Sequence, residues 1–176
     1  MKANHFLSLA VMFVTFTCSA QLFKIGVKAG PNFSSIESAL NTQTKIGYHL
    51  GAVVEIKISP KFSIQPEAIY SSQGAVIKNA KDFDLNYVSV PVIVKYYLFK
   101  DTFSLEGGPQ FSFLTEKNIA TTFKSNAFDF GACGGLGLNI TKQLFVQARY
   151  VVGLTEVSAD AEIKNKLLQM TVGYYF

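Results

Sequence analysis

The sequence predicts an all-β fold: one eight-stranded antiparallel up-and-down β-barrel that spans a membrane, with short turns at one end and four longer loops at the other. Three observations carry this. The chain is greasy without a long apolar run, its polar turns recur at a fixed interval, and the segments between them alternate with a period of two. Of its 176 residues only 16% are charged and 14% are aromatic, with sixteen Phe, eight Tyr and no Trp. A soluble domain carries about a quarter charged residues. Yet no stretch after the N-terminus approaches the roughly 18 to 20 consecutive apolar residues that a spanning helix needs. Strands with one apolar face reconcile the two facts.

Three tight polar turns fall at Ser59-Pro60-Lys61, Lys100-Asp101-Thr102 and Thr141-Lys142-Gln143, with centres 41 residues apart. Each interval holds two β-rich runs and one longer polar segment, which places strands at 22–31, 45–58, 62–72, 85–99, 102–113, 127–140, 143–153 and 165–176. The long loops are then 32–44, 73–84, 114–126 and 154–164. Short turns belong to the periplasmic side of outer-membrane barrels and long loops to the outside. An even strand count puts both ends of the chain in the periplasm.

Alternation is clearest in the second half. Leu168, Met170, Val172, Tyr174 and Phe176 share one face, with Gln169, Thr171 and Gly173 on the other. Leu144, Val146, Ala148, Tyr150 and Val152 oppose Gln147, Arg149 and Gly153. Phe103, Leu105, Phe111 and Phe113 oppose Ser104, Glu106, Gln110 and Ser112. Phe128, Phe130, Leu136, Leu138 and Ile140 oppose Asp129, Gly131, Gly135, Gly137 and Asn139. Side chains alternate across a strand, so each such segment is apolar on one side only. A soluble sandwich or lipocalin would turn the apolar face inward and charge the other. Here the other face carries mostly Gly, Ser and Gln with isolated charges, which suits a narrow packed lumen. Aromatics also gather near strand ends. Phe62, Phe99, Phe103 and Phe176 lie by the short turns, and Tyr48, Tyr70, Phe111, Phe113, Phe128 and Phe130 lie toward the long loops. Two such girdles mark two membrane interfaces.

The N-terminus has the form of an export signal. Lys2 precedes a short apolar core from Phe6 to Phe16, and Cys18-Ser19-Ala20 supplies small residues before Gln21. The expected organisation is a signal peptide at 1–20 and a barrel domain at 21–176. Large Phe16 and Thr17 before Cys18 argue against a lipoprotein signal. One cysteine, Cys133, then remains, so no intramolecular disulfide forms.

Five segments together resemble the PorT-type outer-membrane β-barrel domain. They are Gly26-Val27-Lys28-Ala29-Gly30-Pro31-Asn32, Gln65-Pro66-Glu67-Ala68-Ile69-Tyr70-Ser71, Tyr87 through Tyr97 with its Val90-Pro91 step and Lys95-Tyr96, Glu106-Gly107-Gly108-Pro109, and Asp129 through Gly137. The resemblance spans nearly all of the mature chain and implies the same fold and an outer-membrane location. As an alternative function it implies an accessory role in protein secretion or assembly, where one relative works. A terminal strand closing on Tyr174 and Phe176 resembles the signal that such barrels present to their assembly machinery.

Pro66, Pro91 and Pro109 lie inside predicted strands, where each removes a ladder donor, so β-bulges are expected at all three. Few residues are candidates for chemistry. His49 is the single histidine beyond the signal, so no cluster of histidines can ligate a metal. A His on a barrel strand is usually a packing or rim residue, although a His paired with a Ser and an acid would be the signature of a lipid-modifying enzyme. Cys133, flanked by glycines, reads as a small filler. Gly134, Gly135 and Gly137 make no phosphate loop, because no helix follows, and more simply relieve crowding inside the barrel or let strands coil. The sharper expectation concerns charge. Lys28, Glu55, Glu67, Lys95, Glu106 and Arg149 fall at similar depths from the short turns. Facing lipid there, each base would cost about 2–4 kcal/mol, so an interior ion-pair cluster that plugs the barrel is expected.

The function classes are a non-enzymatic barrel serving envelope structure or loop-mediated interaction, a secretion or assembly accessory, and a lipid-modifying enzyme. The expected partners are outer-membrane lipid, the barrel-assembly machinery during insertion, and an envelope or extracellular protein met by the loops. Lysines occur singly, which argues against nucleic acid. No cofactor is expected.

Overall fold

The computed structural model describes residues 22–36, 45–75, 83–117, 128–154 and 165–176. They form eight strands: β1 (Phe23–Ile36), β2 (Lys45–Lys57), β3 (Phe62–Ala75), β4 (Phe83–Phe99), β5 (Phe103–Lys117), β6 (Phe128–Asn139), β7 (Leu144–Gly153) and β8 (Asn165–Tyr175). Each strand pairs antiparallel with its sequence neighbours, and β1 pairs with β8 to close the barrel. The predicted signal peptide lies outside the described residues, as do most of the predicted loops.

Every predicted strand is present, with one systematic difference. At the loop end, residues 32–36, 73–75, 83–84 and 114–117, expected in loops, continue β1, β3, β4 and β5. The apolar–polar alternation fades where lipid contact ends. A ladder needs only a neighbouring backbone, so it runs on: Ser34 pairs with both Lys45 and Leu167.

The three short turns are built by their own residues. Lys100 and Asp101 adopt φ of 31° and 63°, and Thr102 N donates to Phe99 O at 2.6 Å. Two successive positive φ values are what a tight hairpin with the sheet's own twist requires. Ser59 Oγ accepts from the backbone N of Lys61 and Phe62 at 3.3 and 3.1 Å. Thr141 Oγ1 does the same for Gln143 and Leu144 at 3.1 and 2.8 Å. These side chains stand in for a backbone acceptor and fix where the chain reverses.

The prolines correct an expectation. No register shift occurs at Pro66, Pro91 or Pro109. Pro66 pairs with Val92, and the β3–β4 ladder resumes at Ile69 and Ser89 in unchanged register. Pro91 pairs with Gln110, and β4–β5 resumes at Val94 and Gly107. Pro109 pairs with Ala132 within an unbroken β5–β6 ladder. A strand residue donates toward one neighbour only, so a missing N–H interrupts one ladder locally without requiring an inserted residue. The register shifts of β4–β5 lie instead between Asn86 and Tyr87 and between Tyr97 and Phe99, near the two membrane interfaces.

The faces are inverted relative to a soluble barrel. Among the described residues, nineteen polar or charged side chains are buried against ten apolar ones, while Phe99, Ile46, Leu50 and Met170 stand outside. That ratio decides against a lipocalin-like reading, whose lumen is apolar. The girdle residues predicted from sequence are on the outer face, with Phe111 and Phe130 rings 5.3 Å apart and Phe62 and Tyr96 rings 5.0 Å apart. Two small apolar groups occupy the lumen: Val53, Phe145 and Tyr175 toward the short turns, and Ile93, Cys133, Val151 and Leu167 toward the loops. The charges lie between them.

Candidate functional site

Six strands each contribute one charge to the middle of the lumen. Lys28 comes from β1, Glu55 from β2, Glu67 from β3, Lys95 from β4, Glu106 from β5 and Arg149 from β7, and none is more than 6% exposed. Strand alternation puts them inside, on the face opposite the lipid-facing apolar residues of each strand.

Their contacts form one chain of alternating sign. Lys28 Nζ donates to Glu67 Oε2 at 2.7 Å. Arg149 grips both oxygens of Glu67, Nη1 to Oε2 at 2.8 Å and Nη2 to Oε1 at 2.9 Å. Its Nη2 also reaches Glu106 Oε2 at 3.1 Å. Lys95 Nζ lies 3.5 Å from Glu106 Oε1 and 3.8 Å from Glu55 Oε2. The order Lys28–Glu67–Arg149–Glu106–Lys95–Glu55 runs across the lumen and sums to zero. A planar guanidinium suits the centre because it serves two carboxylates in fixed directions.

Neutral side chains complete this chain, and these the sequence reading did not single out. Gln65 Nε2 donates to Glu67 Oε1 at 2.6 Å, and Gln147 Nε2 donates to both oxygens of Glu106 at 2.9 and 3.1 Å. Tyr97 OH donates to Glu55 Oε1 at 2.6 Å. Tyr175 OH accepts from Lys95 at 3.2 Å and donates to Gln65 Oε1 at 2.9 Å. Their signal was available: Tyr97 shares parity with Lys95, and Tyr175 opposes Tyr174 and Phe176.

Glycines make the room. Gly135 pairs with Arg149 across β6–β7, and a Cβ there would lie 2.9 Å from Arg149 Cα and closer still to Ala148 O. A Cβ on Gly137 would collide with Glu106 Oε1. The predicted relief of crowding holds for Gly135 and Gly137. Gly134 instead is exposed on the outer face, where an added Cβ would have only Glu106 O within reach at 4.0 Å.

A second polar group sits toward the loops. Asn32 Nδ2 donates to Ser71 Oγ at 2.7 Å and Tyr48 O at 3.2 Å, so its Oδ1 is the acceptor left for His49 Nδ1 at 2.8 Å. His49 therefore carries its proton on Nδ1, and Nε2 accepts from the Thr171 hydroxyl at 3.0 Å. The ring is 1% exposed and faces the lumen. Both nitrogens are engaged, so neither is available to a lipid substrate. Cys133 Sγ donates to Gly108 O at 3.1 Å within its apolar group. Among the described residues, no three His, Cys, Asp or Glu side chains gather as metal ligands.

Tyr174 and Phe176 are on the outer face, 42% and 77% exposed, with rings 6.0 Å apart. Phe176 N donates to Ile25 O at 2.9 Å, which ties the end of β8 to β1 at the closing seam.

A closed antiparallel barrel with an apolar outer belt and a polar, charge-paired interior is an integral outer-membrane barrel. The chain belongs to the outer membrane protein beta-barrel domain family, whose model matches residues 19–159. No curated protein matches the sequence. Among solved structures, the fold is similar to Neisserial surface protein A, with TM-score 0.57 and 14% identity over 86% of this chain and 97% of that one. It is similar to Ail, the attachment invasion locus protein of Yersinia pestis, with TM-score 0.57 and 15% identity over 88% and 99%. OprG of Pseudomonas aeruginosa has TM-score 0.53 and 13% identity over 88% and 96%. At these identities the likeness is one of fold.

Proposed function

We propose that this is a non-enzymatic barrel with a sealed interior, of the PorT type, that serves the envelope structurally or by presenting its loops to a partner. The observation that carries the reading is the six-membered chain of alternating charge across the lumen. A neutral, internally paired chain holds facing strands together and leaves no uncompensated charge to recruit ions. Eight strands enclose an interior just wide enough for side chains, which agrees. His49, locked between Asn32 and Thr171, favours packing over lipid chemistry. Ail was solved in complex with the heparin analogue sucrose octasulfate, so a barrel of this fold can hold a ligand. That precedent supports loop-mediated interaction here. The accessory role in secretion rests on the PorT resemblance, and a pulldown from crosslinked cells distinguishes it by the partners recovered.

The seal is tested in planar bilayers. Purified protein should give no steady single-channel current, and reproducible current steps would overturn the reading. We assign residues 1–20 to a signal peptide removed on export, and Tyr174 with Phe176 to the signal read at assembly. Deleting Phe176 should lower the amount of heat-modifiable barrel in the outer membrane and leave export intact. Unchanged insertion would remove that role.

A further inference from the structure

Charge is distributed unevenly along the barrel axis. The chain has 16 basic and 12 acidic residues, so without Lys2 it keeps 15 against 12. Three of each form the interior chain. At the short-turn end stand Lys24, Lys57, Lys61, Lys100 and Lys142, with Asp101 the one acid. Among the described residues, the loop end holds Lys45, Lys117 and Lys166 against Asp84, Glu116 and Asp129 and is balanced in charge. The excess of positive charge among the described residues therefore sits on the periplasmic rim.

Two of the five lysines turn inward. Lys57 pairs with Asp101, and Lys24 Nζ lies 5.4 Å from the centre of the Tyr175 ring. The other three are exposed, one on each short turn: Lys61 between β2 and β3, Lys100 between β4 and β5, Lys142 between β6 and β7. None has an ion pair with a described residue. Outward aromatics adjoin two of them, Phe62 next to Lys61 and Phe99 next to Lys100, at 46% and 70% exposed, and Phe176 stands at the same end at 77%. Aromatic rings of this kind sit at headgroup level, and lysine stems reach along the apolar surface to put the ammonium in the headgroup layer.

We propose that the periplasmic rim binds the headgroups of anionic phospholipids in the inner leaflet, through Lys61, Lys100 and Lys142. The placement selects this occupant. The three ammonium groups are spread over three turns around the circumference, at the edge of the lipid-facing belt. A docked protein would cover one side of the rim, whereas lipid surrounds all of it. Each basic group near an anionic surface adds attraction, which salt screens.

The test uses the full mature protein refolded into phosphatidylcholine vesicles with a trace of spin-labelled phosphatidylglycerol or phosphatidylcholine. The motionally restricted fraction gives the relative association of each lipid with the barrel. Wild type should prefer phosphatidylglycerol several-fold. The preference should fall toward unity in Lys61→Gln/Lys100→Gln/Lys142→Gln and in high salt, while Lys45→Gln/Lys117→Gln at the loop end should retain it. The heat-induced gel shift verifies that each variant is folded, and substitutions on exposed turns should leave it intact. Equal association of the two lipids in wild type would overturn the proposal, and so would a preference that survives the triple change or is lost in the loop-end variant. Peptidoglycan is the competing occupant: co-sedimentation with purified sacculi that the triple change abolishes, without any lipid preference, would also overturn it.

Discussion

Replacing Arg149 by Leu should lower the urea stability of the folded barrel by about 3–5 kcal/mol. Arg149 is the central link, with two bonds to Glu67 and one to Glu106. Its removal leaves three buried carboxylates facing two ammonium groups. The cost is that of an unpaired buried ion, larger than the net value of the original pair. A second substitution separates the two. In Arg149→Leu/Glu106→Gln the chain loses its middle and leaves Lys28 on Glu67 and Lys95 near Glu55, each a neutral pair. Gln147 still has an amide partner at position 106. The double variant should therefore be more stable than Arg149→Leu alone. Urea titrations followed by the gel shift measure both. If Arg149→Leu matches wild type, or if the double variant is the sum of its singles, the charges are not coupled as described.

Gly135→Val should be as damaging, and Gly134→Val should not. At Gly135 an added Cβ meets Ala148 O and Arg149 Cα, both backbone, so β6 and β7 must separate beside the ion chain. Forced overpacking costs about 1–3 kcal/mol where side chains can shift, and here backbone must. The variant should fail to give the heat-modifiable form or lose most of its stability. One residue away, a Cβ on Gly134 has only Glu106 O within reach, at 4.0 Å, and faces outward. Filling that position also removes a strand glycine, which by itself destabilises by about 0.5–1 kcal/mol relative to alanine. Gly134→Val should thus be neutral or slightly stabilising. Equal damage at the two positions would mean that general strand flexibility, and not room for Arg149, explains the glycines.

Both variants show where information resides in this chain. The inward orientation of Arg149 and Glu106 is written in the sequence, because alternation is a local property: Leu144, Val146, Ala148 and Tyr150 already assign Arg149 to the other face. Strand number, strand order and the side on which the short turns lie are legible for the same reason. Each follows from a few neighbouring residues, such as Ser59 and Thr141 folding back on their own turns.

Only the tertiary structure decided who pairs with whom. Glu67 and Arg149 are 82 residues apart and lie on strands that are not neighbours, and their meeting depends on the stagger with which β8 closes onto β1. The same holds for Tyr175, whose hydroxyl reaches Lys95 and Gln65 only after closure. Pro66, Pro91 and Pro109 belong here too. Sequence shows that each lacks a donor, but whether the strand bulges or simply leaves a gap depends on the ladders on both sides. Those ladders, held in register by the closed barrel, kept all three in line. Alternation, turn chemistry and charge count are set by the chain near each residue, whereas pairing across the lumen is set by a closure in which every strand takes part.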